Sequence, residues 1–294
     1  MRKFLVGTDW WTDCDDAVAL RLLVRAARAG EIVLKGIGIN ACMEHSVASL
    51  DGFLCLEGLD KVPLGIDPQA TDFGGTPRYQ ASLVPYAKHY AKNTDAEDFV
   101  SLYRRVLAES PDPVELVEIG YPQALVAVLE SGADAISPKS GLELVREKVP
   151  KIWMMAGKWD RNEEKENNFA RNTRSRKAGA QFCHLCPVPV TFLGWEVGNT
   201  VITGNTLRRD DHLYRVLCDH GSPNGRMSWD PMLVLLALIG DEERAGYHSI
   251  CGRASVDAVT GANSFVPMSN GIHRYVVKQR DDTFYADAIN SRIE

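Results

Sequence analysis

The sequence predicts an α/β protein: a single domain, residues 1–294, with a doubly wound, mainly parallel sheet and helices on both faces. Three observations carry that expectation. Short apolar runs rich in β-branched residues alternate with stretches of helical length and composition. The opening unit is a strand, Phe4-Leu-Val6, then a polar turn, then an Ala-, Leu- and Arg-rich helix that runs from Ala17 to Ala29 and stops at Gly30. The chemically distinctive residues fall just after predicted strands, with Asp230 alone heading a helix, and the carboxyl edge of such a sheet is where ligands bind.

The elements follow in order. Glu31 to Asn40 is a second strand closed by Asn40, and its helical link to the first makes the pair parallel and right-handed. Met43 to Gly58 is a helix with Val47, Leu50, Phe53 and Leu54 at core spacing, and Val62 to Ile66 is a short strand. Asp67 to Lys92 is irregular, and a loop of that length within a compact domain is usually functional. Asp95 to Glu109 is helical, Val114 to Ile119 a strand, Ala124 to Leu129 a helix and Lys151 to Gly157 a strand. Lys158 to Asn172 is a polar run whose plain explanation is a solvated loop. Arg174 to Leu185 is a helix, Val188 to Leu193 a strand, and the segment after Asp210 is helical. Ser228-Trp-Asp-Pro231 opens an apolar helix, Asp with Pro behind it being a good helix start. Tyr275 to Tyr285 reads as a small C-terminal β hairpin turning at Asp281-Asp282.

Composition narrows the function classes. With 45% hydrophobic and 24% charged residues, the chain is an ordinary globular protein. A net charge of −6 argues against a nucleic acid polymer as partner. No run of 18 apolar residues suggests a membrane span. The first six residues leave no room for a signal peptide, and seven scattered cysteines fit a reducing compartment, so a cytoplasmic location is expected. Cys183-His-Leu-Cys186 lacks the second ligand pair of a structural zinc site and is read as helix-end packing.

The first turn is the centre of the argument. It places Asp9, Asp13, Asp15 and Asp16 within eight residues, directly ahead of a helix. One carboxylate there is a cap that suits the helix dipole; four repel one another unless a cation sits among them. Oxygen-only ligands select a hard ion, calcium or magnesium. The bland alternative is a solvated cap. An EF-hand is excluded because the twelfth position from Asp9 is Leu20, and a Walker loop because no Gly-Lys-Ser/Thr follows.

Asp9, followed by Asp15-Asp-Ala-Val-Ala-Leu20, resembles the amino-terminal signature of the inosine–uridine nucleoside hydrolase family. Gly7 stands where that family has its first Asp, and Trp10-Trp-Thr-Asp-Cys14 replaces a Pro-Gly link. The resemblance extends in order through Asn40, the Gly120-Tyr-Pro-Gln123 strand end, Glu166-Asn-Asn168 and Asp230, about four-fifths of the chain. A His-Gly-x-Asp-Gly segment common in the family is missing from the 67–92 loop, and Trp229 stands in place of a His.

The resemblance implies a Ca²⁺-dependent hydrolase of the N-glycosidic bond of ribonucleosides, releasing ribose and free base. Asp9, Asp16 and Asp230, with a backbone carbonyl at Pro122, are the implied metal ligands, and Asp9 is the implied base. Asp15, Asn40, Glu166 and Asn168 are implied to hold the sugar. Trp229 implies stacking on a purine, and relatives in the family are commonly dimers or tetramers. A metal-dependent phosphohydrolase and a non-catalytic nucleoside- or sugar-binding relative are the competing readings.

Overall fold

The computed structural model describes residues 1–294. Its elements, in chain order, are β1 (Arg2–Thr8), α1 (Asp15–Arg28), β2 (Ile32–Ile39), α2 (Ser46–Glu57), β3 (Leu64–Ile66), α3 (Gln80–Leu83), β4 (Glu97–Asp98) and α4 (Phe99–Glu109). The middle of the chain forms β5 (Glu115–Glu118), α5 (Gln123–Glu130), α6 (Gly141–Lys148), β6 (Ile152–Met155), β7 (Glu164–Lys165), α7 (Asn167–Ala170), α8 (Thr173–Leu185) and β8 (Val190–Leu193). Then come α9 (Trp195–Gly198), β9 (Ile202–Thr203), α10 (His212–His220), β10 (Arg226–Met227), α11 (Trp229–Ile239), β11 (Tyr247–Val256), β12 (Ala262–Pro267), β13 (His273–Lys278) and α12 (Asp282–Ile293).

Eleven strands form one sheet in the order β4-β3-β2-β1-β5-β6-β8-β13-β11-β12-β7, and β9 pairs with β10 apart from it. From β4 to β13 every pair is parallel; β11, β12 and β7 close the far edge antiparallel. The expected doubly wound sheet is therefore present. Beyond β1 the chain winds outward through β2, β3 and β4, then returns to the other side of β1 as β5. The crevice above β1 and β5 is thus a topological switch point, the place where open sheets of this kind bind ligands. The strands are apolar because both faces are covered. Phe4 and Val6 belong to the apolar layer shared with α1, α2 and α11, whereas Leu5 joins the opposite layer with α4, α5 and α8. Cys183 and Cys186 are free and buried in that second layer. No helix is long and apolar enough to cross a membrane.

Three boundaries differ from expectation. The antiparallel hairpin near the C-terminus is β11–β12, turning through residues 257–261, and the Tyr275–Tyr285 reading is corrected. There β13 ends at Lys278 and Asp281 accepts the Phe284 N–H at 2.9 Å, capping α12. Tyr285, Ile289 and Ile293, four residues apart, then bury one face of that helix. The strand-like residues Thr283, Phe284 and Tyr285 yield to this cap and spacing. The helix expected from Asp95 begins only at Phe99, where Asp98 accepts the N–H groups of Val100 and Ser101. An unanticipated helix, α6, begins at the capping box of Ser140 and Glu143.

Glycine at 120 lets β1 and β5 end side by side. A Cβ there would lie 2.4 Å from the Asp9 backbone nitrogen and 2.6 Å from Asn40 Oδ1. Gly120→Ala is therefore expected to cost about 1–3 kcal/mol through overpacking. Chemical denaturation measures it, and a variant as stable as the parent would refute the close packing.

Candidate active site

The turn after β1 departs from regular backbone. Trp10 has φ of +40°, a region L residues rarely occupy, and such strain costs on the order of 1–3 kcal/mol. Its surroundings hold it there. The Trp10 N–H faces Thr8 Oγ1 at 3.1 Å and Asp16 Oδ1 at 3.3 Å, its indole donates to Ser49 Oγ at 2.8 Å, and its carbonyl accepts from the Gln80 amide. Thr8 Oγ1 also donates to Asp16 Oδ1. The turn consequently carries Asp9, Asp15 and Asp16 into the switch-point crevice as a fixed group.

Asp230 joins them from the opposite side. Its backbone N–H donates to Asp15 Oδ2 at 3.2 Å, so the first turns of α1 and α11 meet at the carboxylates. Carboxylate oxygens of Asp15, Asp16 and Asp230 lie within 4.8 Å of one another, and Asp9 lines the same cavity. All four are at most 8% exposed, and none is paired with Lys or Arg. Burial, and then the neighbouring carboxylates, push Asp9, Asp15 and Asp230 well above the usual carboxylate range. Burial raises Asp16 as well, to about 6, against the hydrogen bond from Thr8. Helix N-termini offset part of this repulsion but carry only about half a charge each. The donor set is all oxygen, anionic and short of positive charge, which fits a hard divalent cation. Asp13 stands apart: Arg226 grips both its oxygens, at 2.8 and 2.6 Å.

The cavity, of about 350 Å³, has further walls from β5, β6, α7, α9 and α11. Glu166 and Asn168 line it, as expected, but much of their hydrogen bonding is internal. Glu166 accepts the N–H groups of Gly157 (2.8 Å) and Asn168 (2.7 Å), and burial raises its carboxyl to about 7. Asn168 donates to the Met155 carbonyl at 2.8 Å. Trp229 forms a wall with Trp195, the rings stacked 6.5 Å apart, and its indole N–H is bound to the Trp195 carbonyl at 2.9 Å.

Two expected residues do not reach the cavity. Asn40 is fully buried behind Asp9, its Oδ1 accepting the Tyr121 N–H at 2.9 Å, so it braces the β5 strand end. Pro122 caps α5 and its carbonyl accepts the Val126 N–H at 3.0 Å; the residue of this strand end that lines the cavity is Ile119. Helix α5 starts right after Gly120-Tyr-Pro122, which draws Pro122 away from the edge. Sequence reasoning missed Trp11, Thr12, Gly75, Met155, Asn167, Arg171 and Trp195. Trp11 and Thr12, within the acidic turn, Asn167, between Glu166 and Asn168, Trp195, at a strand end, and Arg171, three positions after Asn168, had a positional signal. The 67–92 loop is anchored: Gly75 lines the cavity, and Asp51 accepts the N–H groups of Lys88, His89 and Tyr90.

A scan against family models finds no match to this sequence, and a sequence search of curated proteins finds none either. Solved structures do match in fold. The inosine–uridine preferring nucleoside hydrolase of Bacillus anthracis is 15% identical with a TM-score of 0.70, over 100% of this chain and 99% of that one. The purine-preferring ribonucleoside hydrolase of Gardnerella vaginalis is 16% identical with a TM-score of 0.73, over 99% and 98%. The type III effector protein XopQ, solved with adenosine diphosphate ribose, is 15% identical with a TM-score of 0.69, over 99% and 93%. The fold is that of the nucleoside hydrolases.

The raised carboxyls bind protons more tightly in the folded chain than in the unfolded one. The stability they contribute is whole below about pH 4 and is lost as pH rises through the folded values, about 6 for Asp16 and about 7 for Glu166. A divalent cation bound among the clustered aspartates would displace their protons, so the rise in Tm from EDTA to CaCl₂ is expected to grow between pH 5 and 8. Differential scanning fluorimetry reads it. A Tm unmoved by Ca²⁺ across that range would remove the cation from the site.

Proposed function

We propose that this chain is a Ca²⁺-dependent N-ribohydrolase that cleaves purine ribonucleosides to ribose and free base. The carrying observation is the floor of four buried, unpaired carboxylates beside an indole wall. Asp9, Asp16 and Asp230 would hold the ion, with backbone from Ile119 rather than Pro122. A bound cation supplies charge that keeps the carboxylates ionised and makes water more acidic. Asp9 accepts a proton from the attacking water at its carboxylate. Asp15 binds sugar hydroxyls, while Glu166 and Asn168 shape and orient the sugar end of the cavity. Breaking the C–N bond builds positive charge on the ribose, and the anionic floor stabilises it. Trp229, with its N–H engaged, cannot serve as the acid for the departing base; it stacks on a flat heterocycle, and solvent protonates the base.

A second reading, binding of a nucleoside or ribosyl ligand without turnover, draws on the same fold in XopQ. It is identified by binding in calorimetry without release of base. Release of inorganic phosphate from a phosphomonoester would instead indicate a phosphohydrolase.

Asp9→Asn keeps the shape and removes the proton acceptor, so turnover of inosine with CaCl₂ is expected to fall about 10²–10⁴-fold. A reducing-sugar assay measures this, and near-normal turnover with the fold intact would take Asp9 out of the mechanism. Trp229→Ala separates stacking from packing when inosine and uridine are assayed together. Stacking is worth about 1–3 kcal/mol, so inosine is expected to lose about one to two powers of ten while uridine loses less. An equal loss on both, with a lowered Tm, would assign Trp229 to packing.

A further inference from the structure

The cavity has an acidic floor and, among its lining residues, a single basic one, Arg171. Nearby arginines are neutralised: Arg226 by Asp13, Arg174 by Asp72. Arg171 has no carboxylate partner. Its Nε and Nη2 donate to the Phe73 carbonyl at 3.2 and 2.7 Å, and its guanidinium carbon sits 4.5 Å from the centre of the Trp11 ring. The head group is thereby fixed in place with donors to spare, since guanidinium has five. Trp11 lines the same wall, and its buried Nε1 has no hydrogen-bond partner.

Position tells what this pair can read. Arg171 follows Asn168 by three residues in helical backbone, so both share one face of α7, about one turn apart. The indole wall suited to a base comes from Trp195, after β8, and Trp229 stacked on it. Trp11 follows β1, three strand spacings away in the sheet, about 14 Å. A ribose lying between these ends would turn its C5′ substituent, rather than its base, toward Arg171. A planar guanidinium on an aromatic face is suited to phosphate.

We propose that the cavity takes ribonucleosides bearing a phosphate ester on C5′, with Arg171 and Trp11 forming the phosphate subsite. This rests on the N-ribohydrolase reading and names its substrate class. The bond change is the same: C1′–N breaks, C1′–O forms from water, one water proton goes to Asp9 and the base leaves with a proton from solvent. The products are free base and ribose 5-phosphate.

The test compares inosine with inosine 5′-monophosphate (IMP) on the full chain with CaCl₂. The kcat/KM ratio is expected to favour IMP by about ten- to a hundredfold, as charged hydrogen bonds allow. Arg171→Gln is expected to bring the ratio near one, and Arg171→Lys to keep part of it. Calorimetry with ribose 5-phosphate and ribose, which needs no variant, should show the phosphorylated sugar binding more tightly. Equal or better use of inosine overturns the proposal, as does a ratio that survives in Arg171→Gln. An adjoining hollow lined by Thr12, Thr76, Arg78 and His220 is the rival location. A ratio lost in Arg78→Gln and kept in Arg171→Gln would place the phosphate there and overturn the assignment. Inosine and inorganic phosphate as products of IMP would overturn it too. If neither substrate releases base, the N-ribohydrolase reading fails, and the calorimetric comparison still decides the subsite.

Discussion

Four carboxylates buried together at one end of a sheet are the constraint on which this structure depends. Like charges at such distances, away from water, cannot all remain ionised without compensation. The fold supplies the neutral part of it. Two helices, α1 and α11, meet with their N-termini at the cluster, and the Asp230 N–H is spent on Asp15. Thr8 and the Trp10 N–H are spent on Asp16. The fifth acid of the region, Asp13, is removed from the problem by its own arginine. What is left uncompensated is the charge that a cation would carry.

That cluster also governs what the neighbouring backbone is allowed to be. The turn that delivers Asp9 and Asp16 passes through a left-handed Trp10, held by a fully buried indole against Phe53 and Tyr79. Gly120 allows the β5 strand end to lie against Asp9. Gly7 has a related cause: a Cβ there would fall 1.9 Å from Glu118 Oε2. The Glu118 carboxyl, bound by the Tyr103 hydroxyl at 2.8 Å and raised by burial to about 7, fills the volume that a side chain at position 7 would need. A buried acid on the paired strand, one residue before the cavity-lining Ile119, thus occupies the space that a side chain at position 7 would take.

Above this floor the walls differ in kind. The indoles of Trp195 and Trp229 offer a flat apolar surface, α7 offers amides and Glu166, and the rim near Trp11 offers one fixed guanidinium. Polarity therefore changes along the cavity from apolar to anionic to cationic. Such a sequence of surfaces suits a ligand whose ends are complementary to it, flat and apolar at one end and anionic at the other.

The sequence by itself determined the α/β class and the strand–turn–helix that presents the acids, whereas the pairing of that turn with Asp230 was implied only by the family resemblance. These signals are local: apolar runs of strand length, caps, and carboxylates crowded into one turn ahead of a helix. It determined less at the C-terminus, where Tyr275–Tyr285 has strand-like composition and the cap of Asp281, with Tyr285, Ile289 and Ile293, makes a helix. Only the tertiary structure decided which polar residues face the cavity. Asn40 and Pro122 sit at strand ends as Asp9 does, yet Asn40 Oδ1 is taken up by the Tyr121 N–H, its Nδ2 is buried without a partner, and the Pro122 carbonyl is taken up by Val126. Arg171 and Trp11 lie far apart in the chain and meet through a cation–π contact that no spacing rule reports. Secondary structure follows from neighbours along the chain, whereas a wall is assembled from elements whose relative placement depends on the packing of the whole sheet.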